Sequence, residues 1–141
     1  GNNYSGNDGG GNNYSGNDGM GSGNNNSPRQ FTINIGYSGY SGYTFDGSDR
    51  NGRVTGTNST IDIVKGDLLQ FNINANGHPF WISNRSGTGI PNNSQIPDGI
   101  TNNGYTNGVI TWDTSNLQTG TYWYNCQYHS SMRGMIFINP Y

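Results

Sequence analysis

Beyond Pro28, apolar and polar side chains alternate along the chain with a period of two. In RQFTINIGY, Phe31, Ile33 and Ile35 fall on one face of a strand, with Thr32 and Asn34 on the other. STIDIVKGD sets Ile61 and Ile63 against Asp62 and stops at a Lys-Gly-Asp turn. LLQFNINANGHPFWISN repeats the scheme, with Leu69, Phe71 and Ile73 opposite Gln70, Asn72 and Asn74. GVITWDTS is a further strand, and GMIFINPY closes the chain as a strongly apolar one. In GTYWYNC, Tyr122, Tyr124 and Cys126 share one face, while Trp123 and Asn125 lie opposite. Between these runs, GYSGYSGYTFDG reads as a Tyr/Gly-rich loop leading into a short strand. Residues 84–108, rich in Gly, Asn, Ser and Pro, read as loop with little regular structure. No stretch has helical periodicity of useful length, and 24 glycines weigh against long helices. Seven or eight short strands over about 115 residues predict an all-β domain, an antiparallel sandwich or barrel. A chain of this size buries roughly two-thirds of its unfolded surface, enough for a core without staples.

The first 27 residues break the alternation. GNNYSGNDGG is followed by GNNYSGNDGM and then GSGNNNS, with almost no aliphatic side chains. Such a stretch cannot offset the entropy of ordering its backbone. It divides the chain into a disordered, low-complexity tether at 1–27 and a folded domain at 28–141.

Composition narrows the function classes. Charged residues make up 10% of the chain, glutamate is absent and the formal net charge is −2. No basic patch is available to hold phosphates, which argues against nucleic-acid binding. No apolar run approaches the ~20 residues of a membrane span. A single cysteine excludes an intrachain disulfide framework. Asn-x-Ser/Thr triplets begin at Asn3, Asn13, Asn25, Asn58, Asn84 and Asn92, and they weakly favour an exported, extracytoplasmic protein, whether secreted, periplasmic or at the cell surface.

Chemistry concentrates in CQYHSSM, where the one cysteine, one of two histidines and one of three methionines occupy seven positions. Cys126, His129 and Met132 have the form Cys-x-x-His-x-x-Met. A thiolate, an imidazole and a thioether are a soft set that suits copper rather than magnesium, calcium or manganese. One more imidazole would complete a trigonal plane with a weak axial methionine, and the one remaining histidine, His78, also lies at a strand boundary. Met135 competes for the axial role, but its place in an apolar strand points to core packing. Each donor also has a plainer reading: a lone strand cysteine is usually a small buried hydrophobe, and a lone loop histidine is usually solvated. The joint pattern outweighs these. Zinc also takes Cys and His and is the chemical runner-up. A Cys126 nucleophile with His129 as base lacks an orienting group and an oxyanion hole. Oxidase chemistry at several coppers needs more histidines than two.

At these residues the sequence resembles a known family, the cupredoxins. YWYNCQYHSSMRGMIFI is similar to the ligand loop of amicyanin- and plastocyanin-type proteins, most nearly the short amicyanin form. NGHPFWI resembles the segment that carries the first histidine ligand, and VITWDTSNLQTGTYWYNC the strand-turn-strand that delivers the cysteine. The resemblance spans about residues 28–141 and implies an eight-stranded Greek-key β-sandwich holding one type 1 copper ion. His78, Cys126 and His129 would then be the equatorial ligands and Met132 the axial one. It further implies single-electron transfer between redox partner proteins by a monomer, not catalysis, with His129 as the electron port. Phe80, Trp81 and Tyr128 are candidates for the surrounding patch, although aromatics next to a strand are more often core.

Three features depart from the family pattern. Pro79 has no N–H to offer the cysteine sulfur, so Tyr128 is the expected substitute donor. Asn125 stands where plastocyanins carry a tyrosine used as a remote electron route. An acidic patch of the plastocyanin kind is missing. The competing readings are a copper module for storage, delivery or sensing, and a structural or adhesive β-sandwich in which residues 1–27 are the active part.

Overall fold

The computed structural model describes residues 27–140. Apart from Ser27, the expected tether at 1–27 lies outside them. Ten strands follow in order: β1 (Gln30–Ser38), β2 (Gly42–Asp49), β3 (Gly52–Thr57), β4 (Ile61–Val64), β5 (Leu68–Asn74), β6 (Phe80–Ser83), β7 (Ile100–Thr101), β8 (Asn107–Asp113), β9 (Gly120–Cys126) and β10 (Arg133–Asn139). The alternation read from the sequence is the alternation of burial. Phe31, Ile33, Ile35, Leu69, Phe71, Ile73, Ile61 and Ile63 all point inward. The glycine-rich segment at 84–108 holds a single 3-10 turn (Asn93–Gln95) and the two-residue β7.

The strands form two sheets, ordered β4-β10-β9-β6 and β3-β2-β1-β5-β8-β7. Their inner faces share one core. Phe71 packs on Phe80 at 5.3 Å, Phe45 on Tyr124 at 5.1 Å, and Phe80 stacks on Tyr124 at 5.2 Å. The fold is the expected all-β sandwich, with more strands than expected and two parallel pairings, β1 with β5 and β4 with β10. Alternation fixes which face of a strand is buried but not its neighbour.

Two local expectations are corrected. The Tyr/Gly-rich segment is not a loop but the facing ends of β1 and β2. Tyr37 pairs with Tyr43 and Ser38 with Gly42, so only residues 39–41 turn. Gly39 takes a φ of +54°, and Ser41 donates to the Ser38 carbonyl from both its amide and its hydroxyl. Met135, expected in the core, sits on the outer face of β10 and is 40% exposed. Phe80, one candidate for the patch around His129, is fully buried, as aromatics beside a strand more often are.

Gly134 shows how closely β10 and β9 are keyed. A Cβ there would fall inside the van der Waals envelope of the Tyr124 ring, whose hydroxyl is anchored to the Ser59 carbonyl at 2.7 Å. Gly134→Ala should therefore lower stability by about 1–3 kcal/mol, as for other overpacked cores. A thermal melt of the variant checks this; an unchanged midpoint would mean that Tyr124 can shift freely.

At one end of the sandwich the chain enters through Ser27, whose carbonyl accepts a hydrogen bond from Arg50 Nη2. Asp67, fully buried, is the anchor of this end. Its carboxylate accepts from the amides of Arg29 and Val64 and from Nε and Nη2 of Arg50. From there β1 runs the length of the domain to Ser38, at the opposite end.

Candidate metal centre

That opposite end gathers the donors expected from the sequence. His78 lies in the turn between β5 and β6, shaped by its own N–H donating to the Ala75 carbonyl at 2.9 Å. Cys126 is the last residue of β9, and His129 and Met132 follow in the short connection to β10. Two bonds close that connection on itself: Cys126 N–H donates to the Met132 carbonyl (2.8 Å), and Met132 N–H to the His129 carbonyl (3.1 Å). Cross-strand pairing of β9 with β6 sets Cys126 opposite Phe80, two residues after His78. The Gln127 amide bonds the Pro79 carbonyl at 3.2 Å and ties the two donor segments together.

The result is convergence. Cys126 Sγ lies 3.7 Å from His78 Nδ1 and 3.5 Å from His129 Nδ1. One donor atom from each of the three residues falls within 4.8 Å of the others. His78 and Cys126 are buried, and His129 is partly exposed. Met132 is fully buried, and its backbone is bonded to both Cys126 and His129. Burial, and then the neighbouring His129, push the His78 pKa down, which favours the neutral imidazole that a metal requires. One thiol and two imidazole nitrogens within 4.8 Å of one another, with the buried Met132 in the same turn, fit a soft or borderline metal ion.

Several contributors were not anticipated. Among the described residues the Tyr128 amide makes no hydrogen bond to the sulfur, contrary to expectation. The hydroxyl beside the Cys126 thiol belongs instead to Tyr43, which is buried and donates to the His78 carbonyl at 2.8 Å. Burial, and then Cys126, push the Tyr43 phenol far up, so it stays a neutral hydroxyl. Tyr37 meets the His78 ring at 4.5 Å, and Tyr40 stacks on the His129 ring at 4.4 Å. The exposed aromatics around His129 are therefore Tyr37, Tyr40 and Tyr128, while Trp81 is half-buried and bonded through Nε1 to Gln127. The signal that could have found three of these tyrosines is the Tyr-x-x-Tyr-x-x-Tyr spacing in GYSGYSGYTF. Asn125, one of the departures from the family pattern, holds two strands' surroundings together. It is buried, accepts from the Gly87 amide and donates to the Arg85 carbonyl.

No protein-family model matches the chain, and no curated protein matches it. Solved structures do. Rusticyanin from Thiobacillus ferrooxidans is 18% identical over 80% of this chain and 79% of its own, with a TM-score of 0.50. A further rusticyanin structure, described as that of a copper protein, is 19% identical over 80% of each chain at a TM-score of 0.49. A multicopper oxidase is 16% identical over 81% of this chain and 39% of its own, at 0.40. The sandwich that brings the four expected residues to one end is the cupredoxin fold, which this chain shares with rusticyanin.

Proposed function

We propose that this protein is a small mononuclear type 1 copper protein that carries single electrons between redox partners. The observation that carries the reading is the convergence of Cys126 Sγ with Nδ1 of His78 and His129. In this reading those three atoms would hold the ion, with the Met132 thioether as a further, weaker ligand. Bound there, copper supplies a one-electron couple between Cu(I) and Cu(II).

The residues of the chain do the rest. Two strand ends and a self-closed turn hold the donors before any ion arrives, so little rearrangement is asked of them in either oxidation state. The core beneath, with Phe80, Tyr43 and Tyr124, keeps water from the thiolate. His129, the more exposed donor, gives an electron its shortest way to the surface, where partner proteins meet Tyr37, Tyr40 and Tyr128. Burial of His78 and Cys126 supports a resident ion over an exchangeable one, and so favours a carrier over a storage or delivery module. Both histidines of the chain are used in this one cluster, leaving none for a further catalytic copper. An extracytoplasmic setting, with residues 1–27 as a tether and the domain acting as a monomer, completes the reading.

Adding Cu(II) to the purified protein tests it. An intense thiolate-to-copper absorption, bleached by a reductant and restored by an oxidant, is the expected result. Copper that binds without colour, or no binding, would overturn the assignment.

A further inference from the structure

The repeat GYSGYSGYTF supplies none of the four expected ligands, yet each of its tyrosines meets the donor cluster differently. Tyr37, near the end of β1, lies 4.5 Å from the His78 ring. Tyr40, at the tip of the turn, is stacked on the His129 ring at 4.4 Å with an interplanar angle of 11°. Tyr43, at the start of β2, brings its hydroxyl to the His78 and Pro79 carbonyls and against the Cys126 thiol. A spacing of three places them on successive sides of a tight hairpin, so one short segment touches all three donors.

The hairpin is also fastened to the ligand loop. Asn58, which follows β3 with a φ of +51°, accepts from the Tyr43 amide through Oδ1 at 3.0 Å. Its Nδ2 donates to the carbonyls of Ser41 (3.2 Å) and Ser131 (2.9 Å). The Ser131 hydroxyl donates to the Tyr40 carbonyl. Gly42 lets the strands approach, since a Cβ there would collide with the side chains of Thr57 and Asn58. These bonds leave Tyr40 little freedom to swing away, although it is 70% exposed.

We propose that Tyr37, Tyr40 and Tyr43 form a positioning element that fixes the orientation of His78, His129 and Cys126 and slows the release of a bound metal ion. This rests on the copper reading above for the nature of the ion, though not for the orientation of the rings. Stacking holds the His129 imidazole in one plane and covers a face that water or a chelator would otherwise reach. Groups that orient metal ligands typically change affinity by about 10–100-fold when removed.

The test uses the full chain with Tyr40→Ala, Tyr40→Phe and Tyr43→Phe. In the metal-free protein, proton NMR should show the His129 ring protons shifted upfield by the Tyr40 ring. The shift should persist in Tyr40→Phe and collapse in Tyr40→Ala. After loading with copper, release to a competing chelator should be about tenfold faster or more in Tyr40→Ala, with Tyr40→Phe restoring the wild-type rate. Tyr43→Phe should keep the ring shifts but move the energy of the thiolate absorption. Unchanged ring shifts in Tyr40→Ala, or a wild-type release rate, would overturn the proposal. A wild-type protein that takes up no copper would instead defeat the copper reading, and the ring shifts would still decide the orienting role. Because Tyr40 lies outside the core, its variants remain informative even if Tyr43→Phe fails to fold.

Discussion

Asp67→Ala is expected to cost the domain about 3–5 kcal/mol, the usual result of stripping one partner from a buried ion pair. The carboxylate is fully buried, and four donor groups converge on it: the amides of Arg29 and Val64 and two nitrogens of Arg50. Alanine leaves two backbone N–H groups without an acceptor and deprives a mostly buried guanidinium of its counter-charge. The entry of β1 and the turn before β5 loosen together. The same pair makes stability depend on pH. Burial by itself would raise the Asp67 pKa, but the Arg50 hydrogen bonds, backed by the amides of Val64 and Arg29, outweigh it and hold the carboxyl below its usual value. A carboxyl whose pKa is lower in the folded state than in the unfolded one stabilises the fold above the unfolded value of about 3.9. That contribution is lost as pH falls through the folded value. Urea unfolding at neutral pH and near pH 3 checks both points. The gap between wild type and Asp67→Asn should be wide at pH 7 and narrow in acid; a gap independent of pH would mean that the ionised carboxylate contributes nothing.

The second large effect is thermodynamic and needs no redox partner. A ligand that binds only the folded state stabilises it by RT ln(1 + [L]/Kd), about 2.7 kcal/mol at a hundredfold excess over Kd. In a domain of this size each kcal/mol is worth roughly 4 °C, so copper should raise the wild-type melting midpoint by on the order of 10 °C. Cys126→Ala removes one buried sulfur, which costs the metal-free protein about 1 kcal/mol in cavity terms. It should also lose nearly all of the copper-induced rise. Equal rises in the two proteins would show that copper binds elsewhere, for instance along the Asn-rich amino-terminal tract.

Much of this is readable from the chain because it depends on short-range rules. Phe31, Ile33 and Ile35, or Leu69, Phe71 and Ile73, alternate because successive strand side chains point to opposite faces. Cys126, His129 and Met132 are close in sequence, and His78 follows as the one other histidine of the chain. Features set by distant contacts are not readable in this way. Which strands run parallel is decided by sheet assembly, not by any one strand. Gly and Ser make the Tyr37–Tyr43 segment look like loop, but pairing with neighbouring strands and a buried Tyr43 override weak local preference. Met135 and Phe80 are both apolar in sequence, yet one faces solvent and the other the core. Asn58 gives no signal at all as the residue that bolts the tyrosine hairpin to the ligand loop. It opens one of the Asn-x-Ser/Thr triplets, and its side-chain amide is already committed.

The two ends of β1 have a consequence for how the protein can be presented. Ser27 enters beside Arg50, while nine residues of strand carry the chain to Tyr37 and Ser38 beside the donors, a span of roughly 30 Å at 3.3 Å per residue. A molecule grafted to an electrode, bead or membrane through a cysteine introduced at position 27 would thus stand with its tyrosine crown facing outward, the donor pole remote from the support and open to whatever diffuses past. Attachment through a cysteine introduced on the tyrosine side would invert it.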